Sequence, residues 1–179
     1  MRKLILLAGM TLAIIWWDAP AQAASTVVAI GASNTYGSGR GRTAGGVSQS
    51  EAFPAQLEAL LRARGYDLRV VNAGVPGDTT AGMLARLDSA VPDGTRVVII
   101  QPGGNDARRG GSTAEAATNV AQMSSRLRAR GIKVIILNRI LAMVPASSRD
   151  PDGQHFDRRG HAAVAARLLP QVAAALGNR

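Results

Sequence analysis

Four short runs of β-branched and small apolar residues punctuate the chain, and stretches with helical apolar spacing lie between them. The first run, Val27-Val-Ala-Ile-Gly31, and the third, Val97-Val-Ile-Ile100, are apolar at every position. Such runs read as strands buried on both faces, the pattern of a parallel sheet. Strands are expected over residues 26–31, 68–72, 96–101 and 132–137. After the first strand comes a glycine- and arginine-rich loop over 37–46, and then a helix opening near Ser50 as its N-cap. Pro54 falls in the first turn of that helix, Phe53, Leu57, Leu60 and Leu61 form its apolar face, and Gly65 ends it. Met83, Leu84 and Leu87 mark a helix over 80–90. Ala117, Val120, Met123 and Leu127 mark another over 113–130, with Arg126, Arg128 and Arg130 suiting its dipole and Gly131 as its stop. Val164, Leu168, Val172 and Leu176 mark the last, over 158–176, where Pro170 is expected to kink or split it. Strand and helix alternate four times, which predicts an α/β domain with helices on both faces of one parallel sheet.

The amino terminus stands apart. Met1-Arg-Lys3 is basic, residues 4–17 are almost wholly apolar, and Ala21-Gln-Ala23 has the A-x-A form of a cleavage site. This is the three-part pattern of a secretory signal peptide, and the apolar run falls short of the roughly 20 residues a spanning helix needs. Residues 1–23 are therefore expected to be a leader, 24–179 the mature domain, and the protein exported to the periplasm or beyond. There is no cysteine, which excludes disulfides and any thiolate nucleophile or metal ligand. Two histidines are too few for a histidine-rich metal centre. The net charge is +9, and only Lys3 and Lys133 among the basic residues are not arginine. Attraction to an anionic envelope surface would use that excess, but composition bias toward Ala, Gly and Arg is the preferred explanation. Nucleic acid is not expected as a partner: aromatics are 3% of the chain and no basic tail stands out. The sequence leaves the oligomeric state open.

The unusual polar residues follow the strands. Ser33 follows the first, Gly77 the second and Asn105 the third, so right-handed crossovers put all three on one edge of the sheet. His155 lies in the loop that opens the last helix and reaches the same edge. A hydroxyl, a backbone N–H, an amide and an imidazole in one cleft are what acyl transfer requires. Other assignments compete. Ser33 also fits a helix cap, Gly77 a simple turn, Asn105 a loop stabiliser and Asp106 a structural support. His161 competes with His155 but falls within the last helix, as a packing or surface residue. A nucleotide-binding module is disfavoured, because Gly37-Ser-Gly-Arg-Gly lacks both the G-x-G-x-x-G spacing and a Walker lysine.

Four blocks, Gly31-Ala-Ser-Asn34, Asn72-Ala-Gly-Val-Pro-Gly-Asp-Thr79, Gly103-Gly-Asn-Asp106 and Asp152-Gly-Gln-His155, resemble in order those of the SGNH (GDSL-type) hydrolases. The resemblance covers essentially the whole mature chain. It implies a flavodoxin-like three-layer sandwich, no cofactor, and hydrolysis of carboxylic esters or thioesters on small-molecule, lipid or glycan substrates. It implies that Ser33 is the nucleophile, His155 the general base and Asp152 its orienting carboxylate, ahead of Asp150 and Asp157. It also implies an oxyanion hole made by the N–H groups of Ser33 and Gly77 and the side chain of Asn105. A carbohydrate O-deacetylase and a non-catalytic binding protein of the same fold are the alternatives.

Two departures bear on that expectation. Ala32 stands where the family usually has Asp, so the hydrogen bonds around the nucleophile must differ. The stretch from Asn105 to Asp152 is short, whereas larger members place a further helix and a fifth strand before the Asp-x-x-His block. A four-stranded sheet of order 2-1-3-4 is therefore expected, with the fourth strand as an edge, an extended segment over 140–144 and an open site. Arg40, Arg42, Arg108, Arg109, Arg139, Arg149, Arg158 and Arg159 all fall in loops near the expected catalytic edge, as a rim suited to anionic substrates.

Overall fold

The computed structural model describes residues 25–38 and 46–177, so the expected leader, Arg40 and Arg42 lie outside the described residues. One parallel sheet of four strands forms the centre, in the order β2-β1-β3-β4. β1 (Ser25–Gly31) pairs with β2 (Leu68–Gly74) on one side and β3 (Thr95–Gln101) on the other; β4 (Lys133–Ile136) pairs with β3.

Alternation along β1 and β3 divides the core in two. Val27, Ala29, Val97 and Ile99 face one way, against α2 (Phe53–Ala63) and α7 (Arg158–Leu176). Val28, Ile30, Val98 and Ile100 face the other, against α3 (Thr80–Ala85), α4 (Leu87–Ala90) and α6 (Thr113–Ala129). Burial on both faces is what the unbroken apolar runs encode. Phe53, Leu57, Leu61, Met83, Leu87, Met123 and Leu127 are fully or almost fully buried, so the expected helix faces pack as the spacing implies.

The differences are local and have physical causes. α2 starts at Phe53 with Ala52 as its N-cap; Ser50 is no cap, and Ser48 instead pairs with Glu51 ahead of the helix. The helix expected over 80–90 breaks at Arg86, whose side chain turns inward to Asp78, Gly31 and Ala73. Pro170 neither splits α7 nor ends it: it sits on the exposed face, where water can satisfy the carbonyl one turn earlier. Two 3₁₀ turns, Ile140–Met143 and Ala146–Ser148, replace the extended segment expected over 140–144. Ala117 is exposed rather than inward, because nothing among the described residues covers that end of α6 beside β4. A groove of about 520 Å³ opens there, lined by Ala116, Ala117, Val120, Ala121 and Ile136.

Candidate active site

The carboxyl ends of β1 and β3 open into a cavity of about 220 Å³. Ser33 enters it because β1 ends in a sharp turn at Gly31-Ala32 and continues as the short helix α1 (Ser33–Tyr36). The N-cap position is Ala32, so Ser33 is the first helical residue and its hydroxyl is free for other contacts. That hydroxyl lies 2.9 Å from His155 Nε2. His155 Nδ1 lies 2.5 Å from Asp152 Oδ2. An N–H on Nδ1 directed at the carboxylate leaves Nε2 as an acceptor for the serine O–H.

Asp152 is fixed from within its own loop. Its Oδ1 accepts the backbone N–H of Gln154 (2.9 Å) and of His155 (3.0 Å), with Gly153 in the left-handed region at φ 69°. Burial pushes the Asp152 carboxyl up, but the His155 side chain and the two backbone donors outweigh it and hold the pKa at about 2. The competing carboxylates point elsewhere. Asp150 is buried, and its backbone N–H donates to the His155 carbonyl (2.8 Å); burial, then Asp152, raises its own carboxyl. Asp157 caps α7 by accepting the Gly160 N–H (2.8 Å).

His161 is a core residue. Its Nδ1 accepts the Phe53 N–H at 3.2 Å, and its ring packs against those of Phe53 and Phe156. Burial lowers its pKa to about 4, against the opposing pull of Asp157 and Glu51.

Across the cleft, Asn105 begins the short helix α5 (Asn105–Arg108) after β3. Its amide nitrogen donates to the Asp78 carbonyl (2.8 Å) and its oxygen accepts from Arg108 (2.9 Å), so the second amide hydrogen has a fixed direction. Gly77 adopts φ 77°, which glycine reaches without strain, and its carbonyl accepts from Arg109 (2.9 Å). Asp106, next to Asn105, accepts from the backbone N–H and hydroxyl of Thr80 at 3.1 and 2.6 Å, which ties α5 to the start of α3.

Gln101 is the residue that sequence reasoning missed. It ends β3 fully buried, and its side-chain oxygen accepts the Ala32 N–H (3.3 Å) and the Thr35 hydroxyl (3.0 Å). It steadies the turn that carries Ser33, beside the Asp-to-Ala departure at position 32. The available signal was a polar residue closing the apolar run Val97–Ile100.

The arginine rim resolves into separate roles. Arg108 and Arg139 line the catalytic cavity. Arg149 holds the Leu141 and Val144 carbonyls, and Arg158 pairs with Glu51.

A parallel three-layer α/β domain with Ser33, His155 and Asp152 joined at the carboxyl ends of its strands has the build of a flavodoxin-like hydrolase. The chain belongs to the GDSL-like Lipase/Acylhydrolase family, whose model matches residues 29–178. It is 38% identical over 138 residues to Esterase TesA of Pseudomonas aeruginosa, a match covering 76% of this chain and 64% of that protein. Among solved structures it is similar to AlinE4, an SGNH-hydrolase family esterase (36% identity, TM-score 0.54, 63% of this chain and 58% of that one). It is also similar to the crystal structure of TesA (26% identity, TM-score 0.73, 84% of this chain and 99% of that one). The sequence match to Esterase TesA and the superposition on AlinE4 thus each span less than two thirds of the other protein.

Proposed function

We propose that the protein is a serine hydrolase of carboxylic esters, with thioesters within reach of the same chemistry. The observation that carries this reading is the Ser33–His155–Asp152 chain of contacts, 2.9 and 2.5 Å, at the mouth of the cavity. The likeness to named esterases supports it.

Ser33 Oγ attacks the ester carbonyl carbon while its proton passes to His155 Nε2. Asp152 holds the imidazole in the required tautomer and stabilises the imidazolium that forms. The oxyanion accepts hydrogen bonds from the N–H groups of Ser33 and Gly77 and from the Asn105 amide. When the tetrahedral intermediate collapses, the C–O bond to the alcohol breaks and the proton on Nε2 goes to the leaving oxygen. Water then repeats the sequence: its proton goes to His155, its oxygen to the acyl carbon, and Ser33 regains its proton as the acid departs.

We also assign residues 1–23 as an export leader, from the basic start, the apolar run and Ala21-Gln-Ala23. Mass spectrometry of exported protein should read Ala24 as the first residue; an intact Met1 would refute the assignment. No helix among the described residues is long and apolar enough to cross a membrane.

The test uses p-nitrophenyl acetate and octanoate with protein starting at Ala24, beside Ser33→Ala. Hydrolysis should fall by about a millionfold in kcat in the variant, and a fluorophosphonate should label wild type alone. Equal rates in the two proteins would overturn the reading.

A further inference from the structure

Four arginines among the described residues are matched with carboxylates: Arg62 with Glu58, Arg86 with Asp78, Arg130 with Asp93, Arg158 with Glu51. The two that line the catalytic cavity are not. Arg108 donates to the uncharged oxygens of Asn105 and Gln154. The Arg139 side chain has neither a hydrogen bond nor an ion pair among the described residues, its carbonyl alone accepting the Ala142 N–H, and the residue is exposed at the cavity wall. No carboxylate lines the cavity. The Asp152 carboxylate, behind the cavity-lining His155, is already bound to that histidine. Two positive charges thus share a small space with nothing to neutralise them.

The backbone adds an independent observation. Arg139 is the only non-glycine among the described residues with positive φ, at φ 55° and ψ 42°. Glycine or asparagine adopts this conformation most easily, and other residues kept there cluster at active sites and ligand clamps. The turn it makes ends the link from β4 and places Arg139 on the wall of the same cavity as Ser33.

We propose that Arg139, with Arg108 beside it, binds an anionic group carried by the ester, so that the enzyme prefers substrates with a carboxylate or phosphate close to the scissile bond. A guanidinium binds such oxyanions through two parallel N–H donors, and a confined, uncompensated positive field raises their local concentration. The inference rests on the ester-hydrolase reading and names the substrate class of that site. Arg108 also orients Asn105, so Arg139 is the cleaner residue to change.

The experiment compares mono-p-nitrophenyl succinate with p-nitrophenyl butyrate, which places the charge on the acyl side. It compares 4-acetoxybenzoate with phenyl acetate, which places it on the alcohol side. At least one pair should favour the anionic ester in kcat/KM, and Arg139→Gly should lower that preference by about tenfold, chiefly through KM. Glycine suits the positive φ, so the variant should fold. Arg139→Lys should keep part of the preference, because it retains charge without the fork. Arg159→Gln, an exposed arginine outside the cavity, should leave the preference in place. The proposal is overturned if wild type shows no preference for either anionic ester, or if Arg159→Gln erases it as fully as Arg139→Gly does. If no ester turns over and no fluorophosphonate labels Ser33, the hydrolase reading fails separately. Calorimetry with monomethyl succinate then decides the anion site: tighter binding by wild type than by Arg139→Gly supports it, and equal binding removes it.

Discussion

The two walls of the cleft hold their groups by different means. On the His155 side the apparatus is local. Asp152 orients His155 through its side chain and backbone, all within four residues, and the loop is closed by the Asp150 N–H on the His155 carbonyl. On the Asn105 side, apart from the Arg108 contact within α5, the braces cross the fold. Asp106 reaches Thr80, Asn105 reaches Asp78, and Arg86 gathers Asp78, Gly31 and Ala73. A local motif keeps its geometry as long as its own turn is intact. A wall assembled from distant segments depends on packing that many positions can disturb.

Substitutions that cut each wall separate these modes. The largest loss is expected on the local side: Asp152→Asn should lower kcat by about ten-thousandfold, since it supports the wrong histidine tautomer. Asn105→Ala should cost about a hundred- to a thousandfold in kcat, the usual effect of losing one oxyanion donor. Ester kinetics on folded protein check both, and the reverse order of the two losses would break the comparison.

The brace behind Asn105 gives a smaller effect of another kind. Asp106→Ala leaves the buried Thr80 N–H and hydroxyl without their carboxylate. It should lower stability by about 1–3 kcal/mol and kcat by about tenfold with little change in KM, as expected of a positioning residue. Thermal unfolding read alongside kinetics checks it; a loss of stability with kcat intact would make Asp106 purely structural.

The smallest effect on catalysis concerns the base of the local wall. His161 is neutral in the fold, with a pKa of about 4, and accepts the Phe53 N–H on Nδ1. The unfolded chain binds a proton there at about pH 6.5, so between that value and pH 4 the unfolded state holds more protons. Stability should therefore fall as pH drops through that window, by up to roughly 3 kcal/mol. Below pH 4 both states are protonated and this contribution ends. A melting series with His161→Gln, which keeps an acceptor but no titration, should be flatter across the same window.

The same contrast governs what could be read from sequence. The strands were legible because Val27–Ile30 and Val97–Ile100 are buried on both faces. α6 was legible from its spacing, and Ser112 and Glu115 form a capping box at its start. The Asp-x-x-His block stood out in the sequence by its resemblance to a family motif, and the structure holds it within one turn. The break at Arg86 was not, since its cause is a side chain recruited by three distant acceptors. Nor was the survival of α7 through Pro170, which depends on which face meets water. Gln101 was hidden for a similar reason: its partners Ala32 and Thr35 are 69 and 66 residues away.

Gln101 also separates the scaffold of Ser33 from acid–base equilibria. A carboxylate placed to accept the Ala32 N–H and the Thr35 hydroxyl would change its bonding whenever it gained a proton. A carboxamide has no charge to lose. The turn that presents Ser33 therefore keeps one set of hydrogen bonds across the acid range, so its shape does not follow the acidity of the cleft.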